Sequence, residues 1–184
     1  MSSAERYVSL MRAARAGVSE GLDAHVVASA VAAAATGDGA ALVDSLGLEP
    51  EQVATVLSEL FPALTEMFAR LRGLNFELRA EPDELRLREL LARHASQGNV
   101  SNLLAALVAR GVLRPLPLWR ELGLSNPGEL EWLMQRHFAA LAARNTHDMG
   151  WKAFLCDALR SNDGGFCLVT LTGTDDVAFA ATAF

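Results

Sequence analysis

The sequence is poor in the residues that mark most functional classes. It holds two Cys, Cys156 and Cys167, too few for a disulfide scaffold. Sixteen Lys and Arg stand against 22 Asp and Glu, for a net charge of −6 and a pI near 5.2. This balance argues against a nucleic-acid footprint, which needs clustered basic residues. The local pairs Arg70 with Arg72 and Arg86 with Arg88 are flanked by Glu and read as solvated helix faces. The most apolar run, Val26 to Ala35, is about half the ~20 residues needed to span a bilayer. The start, MSSAERYVSLMRAARAG, is polar and helical, unlike a signal peptide. There is no Gly-rich phosphate loop with Lys, no nucleophile elbow and no CxxC pair, so an enzyme is not expected. A cytoplasmic protein with reduced thiols, bound to neither nucleic acid nor membrane, is the expectation.

What the chain has in quantity is helix-forming apolar sequence. Hydrophobic residues make up 51% and charged residues 21%, enough to bury a core in 184 residues as one compact domain or at most two small ones. Ser2 and Glu5 are spaced for a capping box. An Ala-rich helix is expected from Ser19 to about Thr36, with His25 as a lone structural imidazole within it. Gly37-Asp38-Gly39 marks a loop, and a short helix ends at Gly47. Pro50 opens the next helix, which ends near Phe61-Pro62. Residues 72–82 read as irregular, with an extended piece through Leu74, Phe76 and Leu78 as the alternative. Acidic residues after Pro82 start another helix. Asn99 or Ser101 caps the one that follows, with Gly111 expected to close it. Asn126-Pro127 opens a strongly amphipathic helix through Leu130, Leu133, Met134, Phe138 and Leu141. A last helix begins at Trp151. Val169 to Thr172 is strand-like, but one short strand forms no sheet. The expected fold is all-α: a compact bundle of about seven to nine helices over residues 1–161, with an irregular, divergent tail at 162–184.

An internal repeat is also visible. Leu46-Gly47-Leu48 and Leu122-Gly123-Leu124 each precede a capped helix. Those helices end in Leu60-Phe61-Pro62-Ala63-Leu64 and His137-Phe138-Ala139-Ala140-Leu141. Two related helical halves and a chance likeness of two amphipathic helices both remain open on this pattern.

The distinctive residues concentrate between Gly111 and Phe154, which holds all three Trp and two of the four His. The segments LRPLPLWRELGL, ELEWLMQRHFAALAARNT and DMGWKAF resemble, in that order, the NifQ family of nitrogen-fixation accessory proteins. The likeness is strongest from Asp83 to Phe154. It implies an accessory protein that carries or donates molybdenum for assembly of the iron–molybdenum cofactor. It also implies a molybdenum and iron–sulfur cluster and, as partners, the nitrogenase cofactor assembly proteins. A cluster-free binding or scaffold module of the same pathway is the alternative.

The family resemblance also carries a C-terminal cysteine pattern, C-x4-C-x2-C-x5-C. Starting it at Cys167 puts the later positions on Thr172, Asp175 and Ala181, and Cys156 lies eleven residues upstream. Soft thiolates hold such clusters, about four at a time, so two Cys cannot close the set in one chain. A divergent paralogue, an altered C-terminus and a cluster shared across a homodimer all stay open. The candidate metal ligands are Cys167, Cys156, His137 and His147, with His94 and Asp148 as further donors. For molybdate as the anion, Arg136, Arg144, Asn145 and Lys152 are the neighbouring donors. Trp119, Trp132 and Trp151 are expected to pack in the core, with Trp132, beside two Glu residues, the one placed to reach a partner.

Overall fold

The computed structural model describes residues 2–14, 21–34, 39–146 and 149–163. Among these the protein is all-α, with eleven α-helices and no strand. They divide into two compact units, residues 1–81 with 97–107, and residues 82–96 with 108–184.

In the first unit, α1 (Ser3–Ala13) starts on the predicted capping box. The Glu5 amide donates to Ser2 Oγ at 3.2 Å, and the Ser2 amide donates to Glu5 Oε2 at 2.7 Å. It packs on α2 (Gly21–Ala34), whose Val26, Val27, Ala28 and Val31 are buried. Small Ala side chains permit that close approach, and Arg6 and Ser3 both donate to the Ala32 carbonyl. Tyr7 Oη and His25 Nδ1 share a 2.7 Å hydrogen bond, which gives His25 the structural setting expected of it. Then come α3 (Gly39–Leu46) and α4 (Pro50–Leu60). A 3-10 turn (Pro62–Leu64), α5 (Thr65–Ala69) and a second 3-10 turn (Arg70–Gly73) fold back on α4 and bury Phe68 and Leu71. Residues 74–81 form neither helix nor paired strand, yet Leu74, Phe76 and Leu78 are half-buried while Asn75, Glu77 and Arg79 are exposed, and Leu74 is extended (φ −72°, ψ 127°), the alternation of the extended reading.

In the second unit, α6 (Pro82–Arg93) carries Asp83 and Glu84 in its first turn, as the helix dipole favours. The boundary between the units falls within α7 (Asn99–Val112). Gly111, expected to end α7, lies inside it. A Cβ there would come within 2.8 Å of Leu118 Cδ1, so this glycine serves close packing against α8 (Leu118–Glu121), not termination. Next are α9 (Pro127–His137), α10 (Ala139–Ala142) and α11 (Trp151–Asp163). The apolar periodicity suggested one helix through Leu141. The helix instead breaks at Phe138, where φ is −133° and ψ 42°. The strand-like stretch from Val169 lies outside the described residues.

The repeat is present in the geometry. Gly47 and Gly123 have φ of 70° and 71°, a left-handed conformation that suits glycine. Each precedes an eleven-residue helix with Pro in its first turn. Each of these helices ends on a fully buried Phe, Phe61 or Phe138, outside helical geometry. The Phe61 amide donates to the Leu57 carbonyl at 2.9 Å and the Phe138 amide to Met134 at 2.8 Å. Leu64 and Leu141 then bond back to the Phe carbonyls, both at 2.9 Å. The buried positions Val53, Val56, Leu57 and Leu60 correspond to Leu130, Leu133, Met134 and His137. The last pair is the exception to apolar for apolar: an imidazole takes the place of a core leucine.

Candidate functional site

The sequence candidates that fall among the described residues cluster in the second unit. His137 ends α9 and is 5% exposed, and its carbonyl accepts from the Ser96 amide at 2.8 Å. Phe138 packs beside its ring, centroids 6.4 Å apart. Cys156 lies on α11, also 5% exposed, among the buried Phe154, Leu155 and Leu159. His147, Asp148 and Cys167 lie outside the described residues. Among the described residues no three or more His, Cys, Asp or Glu gather to hold a metal ion. Of the candidate donors, the described residues place one thiol, Cys156, and two imidazoles, His94 and His137, short of the roughly four thiolates a cluster takes.

Three of the four residues proposed for an anion have other occupations, and the fourth, Arg144, is exposed just past α10. Lys152 is 4% exposed, and its Nζ donates to the carbonyls of Arg114 and Leu116. It ties the start of α11 to the Pro-ordered turn that leads into α8. Asn145 clamps Met149 from both sides, its Nδ2 donating to the Met149 carbonyl at 2.9 Å and its Oδ1 accepting from that amide at 3.1 Å. Arg136 lies over the Trp132 ring, 5.2 Å from its centroid. His94 sits just past α6, where its amide donates to Leu91.

The three Trp separate in role. Trp151 is buried, and its Nε1 donates to Glu131 Oε2 at 3.0 Å. Trp119 is half-buried under the Arg120 guanidinium, 4.8 Å away. Trp132 is 42% exposed and departs from the core placement expected of it. Its position on α9 explains this: the buried stripe runs through Leu130, Leu133, Met134 and His137, and residue 132 falls off it.

One cluster was not anticipated. Glu84 on α6 is buried, and both Arg88 and Arg110 bind its Oε1, the latter at 3.0 Å. The Glu84–Arg88 spacing is visible in sequence as an i, i+4 pair. Arg110 comes from the next helix, and no local pattern reveals it.

No helix among the described residues is long and apolar enough to cross a membrane. No solved structure matches the chain significantly. A NifQ protein homolog from Sinorhizobium fredii is 39% identical over 124 residues, which cover 65% of this chain and 54% of that one. The NifQ protein of Azotobacter vinelandii is 34% identical over 132 residues, covering 66% of this chain and 68% of that one. The chain thus spans about half the length of the first relative and about two thirds of the second. The NifQ family profile matches residues 26–169, a stretch that includes His137, Cys156 and Cys167 and ends before Thr172. By the extent of that match and by its likeness to both relatives, the chain belongs to the NifQ family.

Proposed function

We propose that this protein is a nitrogen-fixation accessory factor that carries or donates molybdenum, with iron and sulfide, during assembly of the iron–molybdenum cofactor. The observation that carries this reading is the family match across residues 26–169. Metal is cargo in this reading, and the protein performs no catalysis. Its setting is the cytoplasm and its partners are the nitrogenase cofactor assembly proteins. The proposed ligands are Cys167, Cys156, His137 and His147. Two thiols do not make a four-thiolate site, so the remaining donors are imidazoles or come from a second chain. His137 is buried at the position that Leu60 holds in the first half, so the two halves differ there by a residue type that can bind metal.

Anaerobic reconstitution with iron, sulfide and molybdate tests the reading, followed by metal counting and an absorption spectrum. The expected result is bound metal that is lost in Cys167→Ser. Protein that stays metal-free under these conditions would overturn the carrier role. The second reading, a cluster-free scaffold for the same assembly proteins, draws on the sparse donor set and the exposed Trp132. It requires that the metal-free protein retain those partners in a pull-down, and recovery of none would sink it.

A further inference from the structure

Residues 74–81 follow the second 3-10 turn as an extended segment. Burial alternates strictly along it. Leu74, Phe76, Leu78 and Ala80 are half-buried, and Asn75, Glu77, Arg79 and Glu81 are exposed. A period of two belongs to a strand that lies with one face on the protein. Leu74 anchors its start, since a Cβ on Gly39 would come within 3.1 Å of Leu74 Cδ1. Among the described residues, the main-chain groups of residues 75–78, 80 and 81 carry no hydrogen bond within the chain. A row of unpaired N–H and C=O groups along an extended segment is a template for another strand.

We propose that this edge pairs with the same segment of a second copy, antiparallel and twofold about Leu78. The exposed charges select both the partner and the register. With the axis at Leu78, Glu77 faces the partner's Arg79 and Arg79 faces the partner's Glu77, with Asn75 opposite Glu81 on each side. Moving the axis by one residue either way sets like charges together. At Glu77 the two Glu77 carboxylates meet; at Arg79 the two guanidiniums meet and Glu77 faces Glu81. A twofold pairing is self-complementary and closes on itself, so it gives a dimer and not a fibre. Arg79 is also engaged within its own chain, and a guanidinium has donors to share. About eight residues a side fall short of the roughly 20–30 of a standard interface. The dimer is therefore weak and comes apart at chromatographic dilution, where a pair held by metal is the dimer that persists.

The test is sedimentation equilibrium of the metal-free, reduced full-length chain over a concentration series, at low ionic strength where surface charges are least screened. The wild type should dimerise as concentration rises. Glu77→Arg and Arg79→Glu should each weaken the dimer by roughly tenfold or more, because both cross-strand pairs become like-charged. The double variant Glu77→Arg, Arg79→Glu sets opposite charges face to face again and should return to wild-type strength. An equimolar mixture of the two single variants should also dimerise, since one copy is then basic at both positions and the other acidic. Both side chains are exposed, so circular dichroism should be unchanged throughout. A wild type that stays monomeric at the highest concentration reached overturns the proposal. So does a dimer indifferent to the single variants, and so do single-variant losses that neither the swap nor the mixture repairs. No readout here uses metal, so failure leaves the carrier reading standing.

Discussion

Lys152 shows how one buried charge can serve structure in a chain expected to handle anions. Its ammonium satisfies two carbonyls in the turn at Arg114 and Leu116. Lys152→Met keeps the apolar stem and removes the donors, and we expect a loss of about 1–3 kcal/mol in urea unfolding, because both carbonyls sit on partly hydrated residues. Glu84 should matter more. It is the shared acceptor for Arg88 and Arg110, whose side chains are each 13% exposed against 6% for its own. Glu84→Ala removes the buried acceptor that two guanidinium groups share and should cost about 3–5 kcal/mol, read by the same method. His137→Leu should move the other way relative to function. It restores the residue type of the first half, so stability should change by no more than about 1.5 kcal/mol, while metal bound on reconstitution should fall. A large loss of stability with metal retention unchanged would assign His137 to packing alone. The stem of this contrast was legible in sequence, because the repeat aligns His137 with Leu60. The acceptors of Lys152 and the reach of Arg110 were not, because both depend on turns whose path no periodicity encodes.

At the scale of elements, the helix starts were readable, and so were the ends at Gly47 and Phe61-Pro62, but other ends were not. Ser2 with Glu5, Pro50, Pro82 and Asn126-Pro127 each open a helix where their chemistry requires, since capping acceptors and a missing N–H act locally. The end of α9 was hidden because Phe138 and Leu141 continue the buried stripe beyond the break. The end of α7 was misread because a glycine that permits contact with Leu118 looks the same in sequence as one that ends a helix. Gly47 and Gly123 are the opposite case, where the left-handed conformation is the reason for the residue. Gly47→Ala and Gly123→Ala should each destabilise by about 1–2 kcal/mol. The two costs should be of similar size, because both glycines hold the same left-handed φ. Matched denaturation curves check this, and one large effect beside one negligible effect would mean that the shared geometry is not shared energetics.

For the whole molecule the decisive quantity is the number of soft ligands. One chain supplies two thiols, Cys156 and Cys167, while an iron–sulfur cluster takes about four. Two chains supply four, so a thiolate-only cluster fixes the stoichiometry at one per pair of chains. Cys156 is buried in the described structure, so reaching a shared metal would require its surroundings on α11 to open. A cluster completed by His137 and His147 replaces the missing thiolates within one chain but still uses Cys156, and His137 is as buried as that thiol, so it too requires the surroundings to open. The two arrangements differ in mass. The reconstituted protein is expected to elute in light-scattering chromatography as a dimer with one cluster if the ligands are four thiols, and as a loaded monomer if the imidazoles contribute. His137→Leu then separates them a second time, leaving the dimeric arrangement loaded and emptying the monomeric one. Since His137 departs from its leucine counterpart, the monomer completed by imidazoles is the arrangement we expect.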